Sequence, residues 1–254
     1  MATGDSTFST FARVPATSAF KIPEDMTYQV AATIPVAYGT AYHSLKASRL
    51  TKEDTVLIHA STGALGQALI MMCQNVGARI LATVGTYEKK TFLMTQLGIP
   101  EDQIFYSRDS SFRDGVMRAT GGNGADVIFN SLSSELQRIT WDCIAPFGRF
   151  IELGRRDFIV NSKLEQARFR DNVAFVGLDF RHMTMARPQL AVEAFHGCMH
   201  LLRQGKLRAP EPITTYGFSQ VEEAFRTMQS GKHIGKLVMV PQKEETFKVS
   251  TPTI

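Results

Sequence analysis

The middle of the chain alternates short apolar runs with amphipathic segments. The apolar runs predict buried strands, and the amphipathic segments predict helices. Apolar strands separated by helices are typical of a parallel sheet covered on both faces. Because such crossovers are right-handed, the pattern predicts an α/β, doubly wound fold of the Rossmann type. Strands are predicted over residues 55–60, 79–84, 103–106, 126–130, 148–153 and 173–179, and helices over 66–77, 88–98, 112–120 and 135–144.

The two ends of the chain follow other patterns. Residues 8–14 alternate like a strand. Residues 27–50 have a helical pattern that we expect to break near Pro35 and Gly39. The polar tail from Pro241 is expected to fray. In the C-terminal part, helices are predicted over residues 190–203 and 221–230, and a strand over 236–240.

The composition is that of an ordinary globular protein, with 254 residues, 44% of them hydrophobic and 20% charged. The net charge is +4, and no Lys/Arg block is long enough for a nucleic-acid arm, so we expect no nucleic-acid partner. No apolar run reaches the roughly 18 residues that a membrane span needs, and the first residues lack a secretory pattern. Mild basicity suits an anionic cofactor or an acidic carrier protein.

The cysteines and histidines indicate neither disulfides nor a metal site. Cys73, Cys143 and Cys198 are far apart and odd in number, which favours a reducing, cytoplasmic location. Zinc sites need clustered Cys and His. The closest pair, His196 and His200, is more typical of a partly exposed helix face than of a metal site.

Residues 59–67 (HASTGALGQ) carry the strongest local motif, between a predicted strand and a predicted helix. Against the pattern G-x-G-x-x-G, Ser61 replaces the first glycine, and Gly63 and Gly66 hold the other two places. Gly63 would let the backbone approach a pyrophosphate, and Gly66 would let the helix pack close to the strand. The alternative is an ordinary turn of small residues. The predicted cofactor-binding residues here are Ser61, Thr62, Gly63, Ala64, Leu65 and Gly66.

The end of the second predicted strand favours NADPH over NADH. An NAD enzyme usually has an acid there that binds the ribose hydroxyls. This chain has Thr86, followed by Lys89 and Lys90, and a hydroxyl with an ammonium group suits a 2′-phosphate. Glu88 can begin the next helix, where an acid is favourable. The alternative for the lysines is a solvated helix face.

Longer stretches resemble a known family. They are similar to the enoyl reductase domains of fungal highly reducing polyketide synthases and of animal fatty acid synthase, in the zinc-free branch of the medium-chain dehydrogenase/reductase superfamily. The resemblance runs from about Phe8 to Val240. It is carried by VLIHASTGALGQALIMMCQNVGARILATVGTYEKKTFL, GIPEDQIFYSRDSSF, DVIFNSLSSE, CIAPFGRFIELGRRD and ITTYGFSQVEEAFRTMQSGKHIGKLV.

The resemblance implies a domain organisation. Residues 1–45 would be the remnant of a GroES-like substrate domain with a linking helix, and residues 46–185 the NADPH-binding Rossmann domain. Residues 186–254 would return to the substrate lobe, which the two chain ends build only in part. Because the resemblance starts near the end of the family's substrate-binding barrel, we expect the chain to be N-terminally truncated.

The resemblance also implies roles for single residues. Thr40 would approach the nicotinamide end, and Leu153 and Gly154 would lie beside the nicotinamide. Ser107, Arg108, Asn130 and Ser131 would flank the adenine-side phosphate and the nicotinamide ribose.

The reaction implied is hydride transfer from NADPH to the β-carbon of an α,β-unsaturated thioester, followed by protonation of the α-carbon. The thioester would be bound to an acyl carrier protein of a polyketide synthase, and a homodimer is left open. Arg155 stands where related enzymes have a lysine that is suspected of donating the proton. Arginine holds its proton too tightly for that role, although it can stabilise an enolate. The proton would then come from Asp179, a tyrosine or water. Arg155 can also be read as a surface charge, and Asp179 as a capping acid.

Two other functions stay open. One is a quinone or small-enone reductase of the same superfamily, which would accept free substrates. The other is a catalytically silent module that binds NADPH or braces a synthase, which the truncated lobe and Arg155 motivate.

Overall fold

The computed structural model describes residues 11–16, 19–242 and 245. Its centre is a six-stranded parallel sheet, and a two-stranded parallel sheet lies near the C-terminus. In chain order the elements are α1 (Tyr28–Ser48), β1 (Thr55–Ile58), α2 (Ala64–Val76), β2 (Arg79–Val84), α3 (Tyr87–Leu97), β3 (Ile104–Tyr106), α4 (Ser111–Ala119), β4 (Ala125–Asn130), α5 (Glu135–Trp141), β5 (Ile144–Glu152), α6 (Arg156–Ile159), β6 (Ala174–Gly177), α7 (Phe180–Ala186), α8 (Pro188–Arg203), β7 (Ile213–Tyr216), α9 (Val221–Ser230) and β8 (Lys236–Met239).

The large sheet has the strand order β3-β2-β1-β4-β5-β6. The chain moves outward from β1 through β2 to β3, then crosses back to β4 and continues in the other direction. The loops that follow β1 and β4 therefore diverge and leave a crevice at the carboxyl ends of the strands. The predicted doubly wound α/β fold is confirmed, and the crevice is where such sheets bind ligands.

Two hydrophobic clusters cover the two faces of this sheet. Val56 and Ile58 of β1 belong to one cluster, and Leu57 belongs to the other. Helices α1, α2 and α8 pack on the first face, with Tyr38 and Phe195 fully buried. The second cluster is completed by a further set of buried aromatic side chains from α4, α5 and β5, namely Phe112, Trp141 and Phe150. Burial on both faces explains the near-continuous apolar sequence of the strands.

Helix α1 runs unbroken from Tyr28 to Ser48, so the expected break near Pro35 and Gly39 is wrong. Its packing against α2 and α8 outweighs the weak helix propensity of the two residues. Gly39 has a packing role as well, because a Cβ there would lie 2.2 Å from the ring of Phe180.

Some other boundaries differ from the predictions. Residues 11–14 form no strand, and residues 8–10 lie outside the described residues. Alternation alone does not provide a strand with a pairing partner. Helix α5 ends at Trp141 rather than at 144, because Ile144 already pairs with Ala125 in the sheet. Helices α6 and α7 and strand β7 had no clear pattern in the sequence.

The expected domain boundaries at 45 and 185 fall inside α1 and α7. The division into three parts, with its partial GroES-like lobe, stays a prediction. Across the described ranges, none of the helices is both long and apolar enough to cross a membrane.

Candidate cofactor and active site

The loop between β1 and α2 passes very close to the start of the helix. A Cβ at Gly66 would lie 2.5 Å from the carbonyl oxygen of Ala60 and 2.6 Å from the backbone of Ser61. Real side chains do not come so near, so this position requires glycine. The contact is the close helix–strand packing that the sequence assigns to the last glycine of the motif.

The start of α2 presents free backbone donors. The N–H of Ala64 donates to the carbonyl of Gly235 at 3.1 Å. The next two N–H groups, those of Leu65 and Gly66, have no acceptor among the residues that the structure describes. Two unpaired N–H groups at the positive end of a helix form a site that suits a phosphate.

Ser61 and Thr62 are buried in the same loop. The Ser61 hydroxyl donates to the carbonyl of Ile58 at 2.7 Å, and the carbonyl of Thr62 accepts from the N–H of Gly235 at 2.9 Å. These groups hold the shape of the loop. Direct contact of either residue with a cofactor stays a prediction.

Two adjoining cavities lie beside the loop between β1 and α2. The first, of about 290 Å³, is lined by the glycine loop, Ser131 and Lys236. The second, of about 370 Å³, is lined by Arg155 and Asp179. Four residues line both cavities, so that one continuous cleft joins the glycine loop to the ion pair; they are Val36, Thr40, Leu65 and Leu153.

The residues predicted to bind a 2′-phosphate lie after the carboxyl end of β2. Thr86 caps α3, where its hydroxyl accepts from the N–H of Lys89 at 3.4 Å. The Lys89 ammonium donates to the carbonyl of Gly231 at 2.7 Å. Burial, and then the charge of nearby Arg108, lower the pKa of Lys89. An anion between these two cations would relieve their repulsion.

Lys90, Ser107 and Arg108 have different partners near the end of β2. Lys90 is paired with Glu101, at 3.0 Å between Nζ and Oε1, and so differs from Lys89. The Ser107 hydroxyl donates to the carbonyl of Val84 at 3.2 Å, at the end of β2. The Arg108 Nε donates to the carbonyl of Gly85 at 3.4 Å, so its guanidinium also lies beside the end of β2.

Arg155 and Asp179 form an ion pair across the carboxyl ends of β5 and β6. The Arg155 Nε lies 3.0 Å from the Asp179 Oδ2, and half of the Arg155 side chain is exposed. The other carboxylate oxygen of Asp179 accepts from the N–H of His182 at 3.2 Å and caps α7. Asp179 is thus both a cap and the partner of Arg155. A pair this exposed adds little stability, but it fixes the direction of the guanidinium.

Known proteins are similar to this chain in sequence and in fold. The profile of the family described as "Zinc-binding dehydrogenase" matches residues 100–239, more than half of the chain. The chain belongs to the zinc-binding dehydrogenase family. It is 49% identical to the highly reducing polyketide synthase phiA of a fungal species (strain ATCC 74256) over 97% of its length. The chain spans only about a tenth of that relative.

Solved structures in this family have the same fold. The CurK enoyl reductase superposes with a TM-score of 0.79 at 30% identity, covering 89% of this chain and 67% of that one. The nucleotide-binding subdomain of the enoylreductase domain of PpsC from Mycobacterium tuberculosis has a TM-score of 0.63 at 34% identity, over 68% and 96% of the two chains. The family resemblance seen in the sequence is confirmed.

The zinc in the family's name has no site in the described part of this dehydrogenase chain. Within residues 11–16, 19–242 and 245, no group of three or more His, Cys, Asp or Glu side chains could hold a metal ion. The donor set of the described residues therefore does not fit zinc.

The Asn130 side chain faces inward. Its amide nitrogen donates to Glu152 at 2.6 Å and to the carbonyl of Leu132 at 2.9 Å, and its oxygen accepts from the Leu132 N–H at 3.2 Å. Asn130 thus shapes the turn that carries Ser131, which is exposed and lines the cleft. The N–H of Gly154 also donates to Glu152, at 2.6 Å. The predicted cofactor contacts of Asn130, Ser131 and Gly154 stay predictions.

Sequence reasoning missed four residues of the candidate site. Glu152 is fully buried although it carries a carboxylate, and Lys236 lines the cleft with its pKa lowered by burial. His59 is also buried, and the Nδ1 of His233 has no partner in the described structure. For Glu152, Lys236 and His59 the signal was a polar residue inside or beside an apolar strand, in GRFIEL, GKLVMV and VLIH, and His233 had no such signal.

Proposed function

We propose that this chain is the cofactor-binding part of an NADPH-dependent enoyl reductase that acts in polyketide biosynthesis. Its substrate would be an α,β-unsaturated acyl thioester carried by an acyl carrier protein. The observation that carries the proposal is the continuous cleft from the glycine loop to the Arg155–Asp179 pair. The polyketide synthase relatives and the CurK enoyl reductase support the choice of substrate class.

The residues of the cleft suit a doubly phosphorylated adenosine. The N–H groups of Leu65 and Gly66 and the ammonium of Lys236 would hold the diphosphate. Lys89 and Arg108 would hold the 2′-phosphate, with Thr86 beside them. When bound there, NADPH supplies the hydride for the β-carbon of the substrate.

Arg155 would stabilise the negative charge that develops on the thioester oxygen. A guanidinium acts on such an oxygen by charge and by hydrogen bonding. Asp179 orients the guanidinium through its 3.0 Å contact. Because Asp179 accepts hydrogen bonds in this arrangement, we assign the proton for the α-carbon to water. In the described part of the chain, no tyrosine lines either cavity.

The walls around the pair would hold the acyl chain and limit the access of water to the reacting atoms. Val36, Leu178, Phe180 and Met185 give this end of the cleft an apolar surface. An apolar surface strengthens the interaction between Arg155 and a developing oxyanion. Three buried cysteines with free thiols suit a reducing, cytoplasmic location.

The test measures cofactor binding and turnover separately. NADPH fluorescence should change in a saturable way on titration of the chain, and much less with NADH. Oxidation of NADPH should then depend on an enoyl thioester such as a crotonyl thioester, and increase when the acyl group is presented on a carrier protein. Tight binding without turnover would identify a silent binding module instead, and a preference for free quinones would identify a quinone reductase.

A further inference from the structure

Glu152 is a fully buried carboxylate whose described partners are all neutral. Its Oε1 accepts from the N–H of Gly154 at 2.6 Å. Its Oε2 accepts from the Asn130 amide at 2.6 Å and from the Gln137 amide at 2.7 Å. The three donors come from the turn after β5, the end of β4 and helix α5. One carboxylate therefore joins three segments at the crevice of the sheet.

The same residue holds both sides of the ion pair. Gly154, which is bound by the Glu152 carboxylate, comes directly before Arg155. The backbone carbonyl of Glu152 accepts from the N–H of Leu178 at 3.0 Å, and Leu178 comes directly before Asp179. Glu152 is thus one residue removed, through hydrogen bonds, from each member of the pair.

Burying a carboxylate without a neighbouring cation costs folding free energy. The groups around Glu152 shift its pKa in opposite directions. Burial raises its pKa, the three hydrogen bonds lower it, and the nearby Asp157 carboxylate raises it further. Asp157 is occupied with other partners, the N–H of Ser134 at 3.0 Å and the hydroxyl of Ser162 at 2.8 Å. An apolar side chain at position 152 would avoid this cost but could not accept from three donors.

We propose that Glu152 is a positioning residue, which sets the Arg155–Asp179 pair and the turns at residues 130–132 and 153–154 for reaction. The inference rests on the proposed reductase function. We expect Glu152 to affect only the end of the cleft proposed for the nicotinamide. Lys89 and Arg108, which are proposed to bind the adenosine side, have other hydrogen-bond partners than this network.

The main variant is Glu152→Gln, which keeps the shape of the side chain. A glutamine has one oxygen and one NH₂ group. Its oxygen can still accept from Asn130 and Gln137, which leaves the NH₂ group opposite the N–H of Gly154. Glu135→Gln is the matched control, because it makes the same side-chain replacement at an exposed position near the start of α5. Gln137→Met removes one of the three donors to Glu152, and it replaces Glu152→Gln as the test variant if Glu152→Gln does not fold.

Three measurements on the full chain give the readout. Amide hydrogen exchange at Gly154 should become faster in Glu152→Gln and stay unchanged in Glu135→Gln. Binding of 2′,5′-ADP, which occupies only the adenosine side, should stay within about twofold of the wild type. The single-turnover rate of NADPH oxidation with a crotonyl thioester should fall by about tenfold to a hundredfold, because small misplacements at the reacting centre are costly. Gln137→Met should lose about threefold to tenfold, as expected for one hydrogen bond.

Two results would overturn the inference while leaving the proposed function intact. One is a Glu152→Gln rate equal to that of the wild type. The other is a parallel loss of 2′,5′-ADP binding and turnover, which would mean general disruption. A wild-type chain that binds 2′,5′-ADP but never oxidises NADPH would overturn the proposed function, and the positioning role with it.

Discussion

Gly63 and Gly235 form a parallel β-bridge that joins the glycine loop to the segment before β8. Around it, the N–H of Ala64 donates to the carbonyl of Gly235, and the N–H of Gly235 donates to the carbonyl of Thr62. The bridge places Lys236 at the cleft beside the start of α2. The last strand therefore borders the same cleft as the glycine loop, although it lies far from the motif in the sequence.

The first prediction concerns Gly66→Ala. The new Cβ would clash with Ala60 at 2.5 Å, so the helix has to move away from the strand. We expect a loss of about 1–3 kcal/mol in the free energy of unfolding, as for other overpacked sites. NADPH affinity should fall with it, because the free N–H groups move with the helix. Thermal unfolding and fluorescence titration measure the two effects.

Gly63→Ala is the matched control for stability. A Cβ there would lie 3.5 Å from the same carbonyl oxygen, an ordinary contact, and its φ of −72° suits alanine. The melting temperature should stay near that of the wild type. If both alanine variants lose the same stability, close packing is not what position 66 requires.

The second prediction concerns the choice between NADPH and NADH. Replacing Lys89 by Met should weaken NADPH binding by about tenfold, which is the value of one charge-assisted hydrogen bond. NADH binding should hardly change. Lys90→Met is the control, because Lys90 is already paired with Glu101. Equal losses for both cofactors would contradict a 2′-phosphate site at Lys89.

The large sheet could be predicted because its signal is local. Most strands are largely apolar, and some crossover helices begin and end at recognisable residues, as α3 does at Thr86 and Gly98. The unbroken course of α1 through Pro35 could not be predicted in the same way. Its stability comes from helices that pack on it from distant parts of the chain.

The same distinction applies to the site. The residues of the glycine loop and the Arg155–Asp179 pair could be found from motifs and from the family resemblance. Glu152 and His59 bind partners from other elements, such as Asn130 for Glu152 and Thr140 for His59, and Lys236 lines a cavity with the distant glycine loop. A sequence marks such residues only as polar positions in apolar surroundings, which does not reveal their partners.

The third prediction concerns Arg155. Arg155→Gln removes the charge that would stabilise the oxyanion, so kcat should fall by about a hundredfold, as for loss of other oxyanion donors. Arg155→Lys keeps a charge and adds a proton that can dissociate, so kcat should stay within about tenfold of the wild type. Steady-state kinetics with a crotonyl thioester give both values.

Arg155→Gln should change the free energy of unfolding much less than it changes kcat. The Arg155 side chain is half exposed, so loss of the ion pair should change the unfolding free energy by less than about 1 kcal/mol. Arg226→Gln, at the exposed pair with Glu222, is the control for such a pair. A large loss of stability in Arg155→Gln alone would mean that the pair is structural rather than a part of the active site.

The last prediction concerns pH and His59. Its Nδ1 lies 2.8 Å from the Thr83 hydroxyl and its Nε2 lies 3.1 Å from the Thr140 hydroxyl, so the ring links β2 to α5. Complete burial lowers its pKa from 6.5 to about 3. Below pH 6.5 the unfolded chain takes up a proton that the folded chain refuses, and stability falls as the pH falls.

The loss should continue down to about pH 3, with a slope from this residue of at most about 1.4 kcal/mol per pH unit. Urea unfolding at several pH values between 4 and 7 measures the slope in the wild type and in His59→Gln. The glutamine keeps polar groups between the two threonines but cannot be protonated. The unfolding free energy of His59→Gln should therefore depend on pH less steeply than that of the wild type, by the contribution of one proton. His200→Gln, on the exposed face of α8, is the control and should leave the wild-type slope unchanged. Identical slopes in the wild type and His59→Gln would mean that His59 is protonated, or accessible to water, in the folded protein.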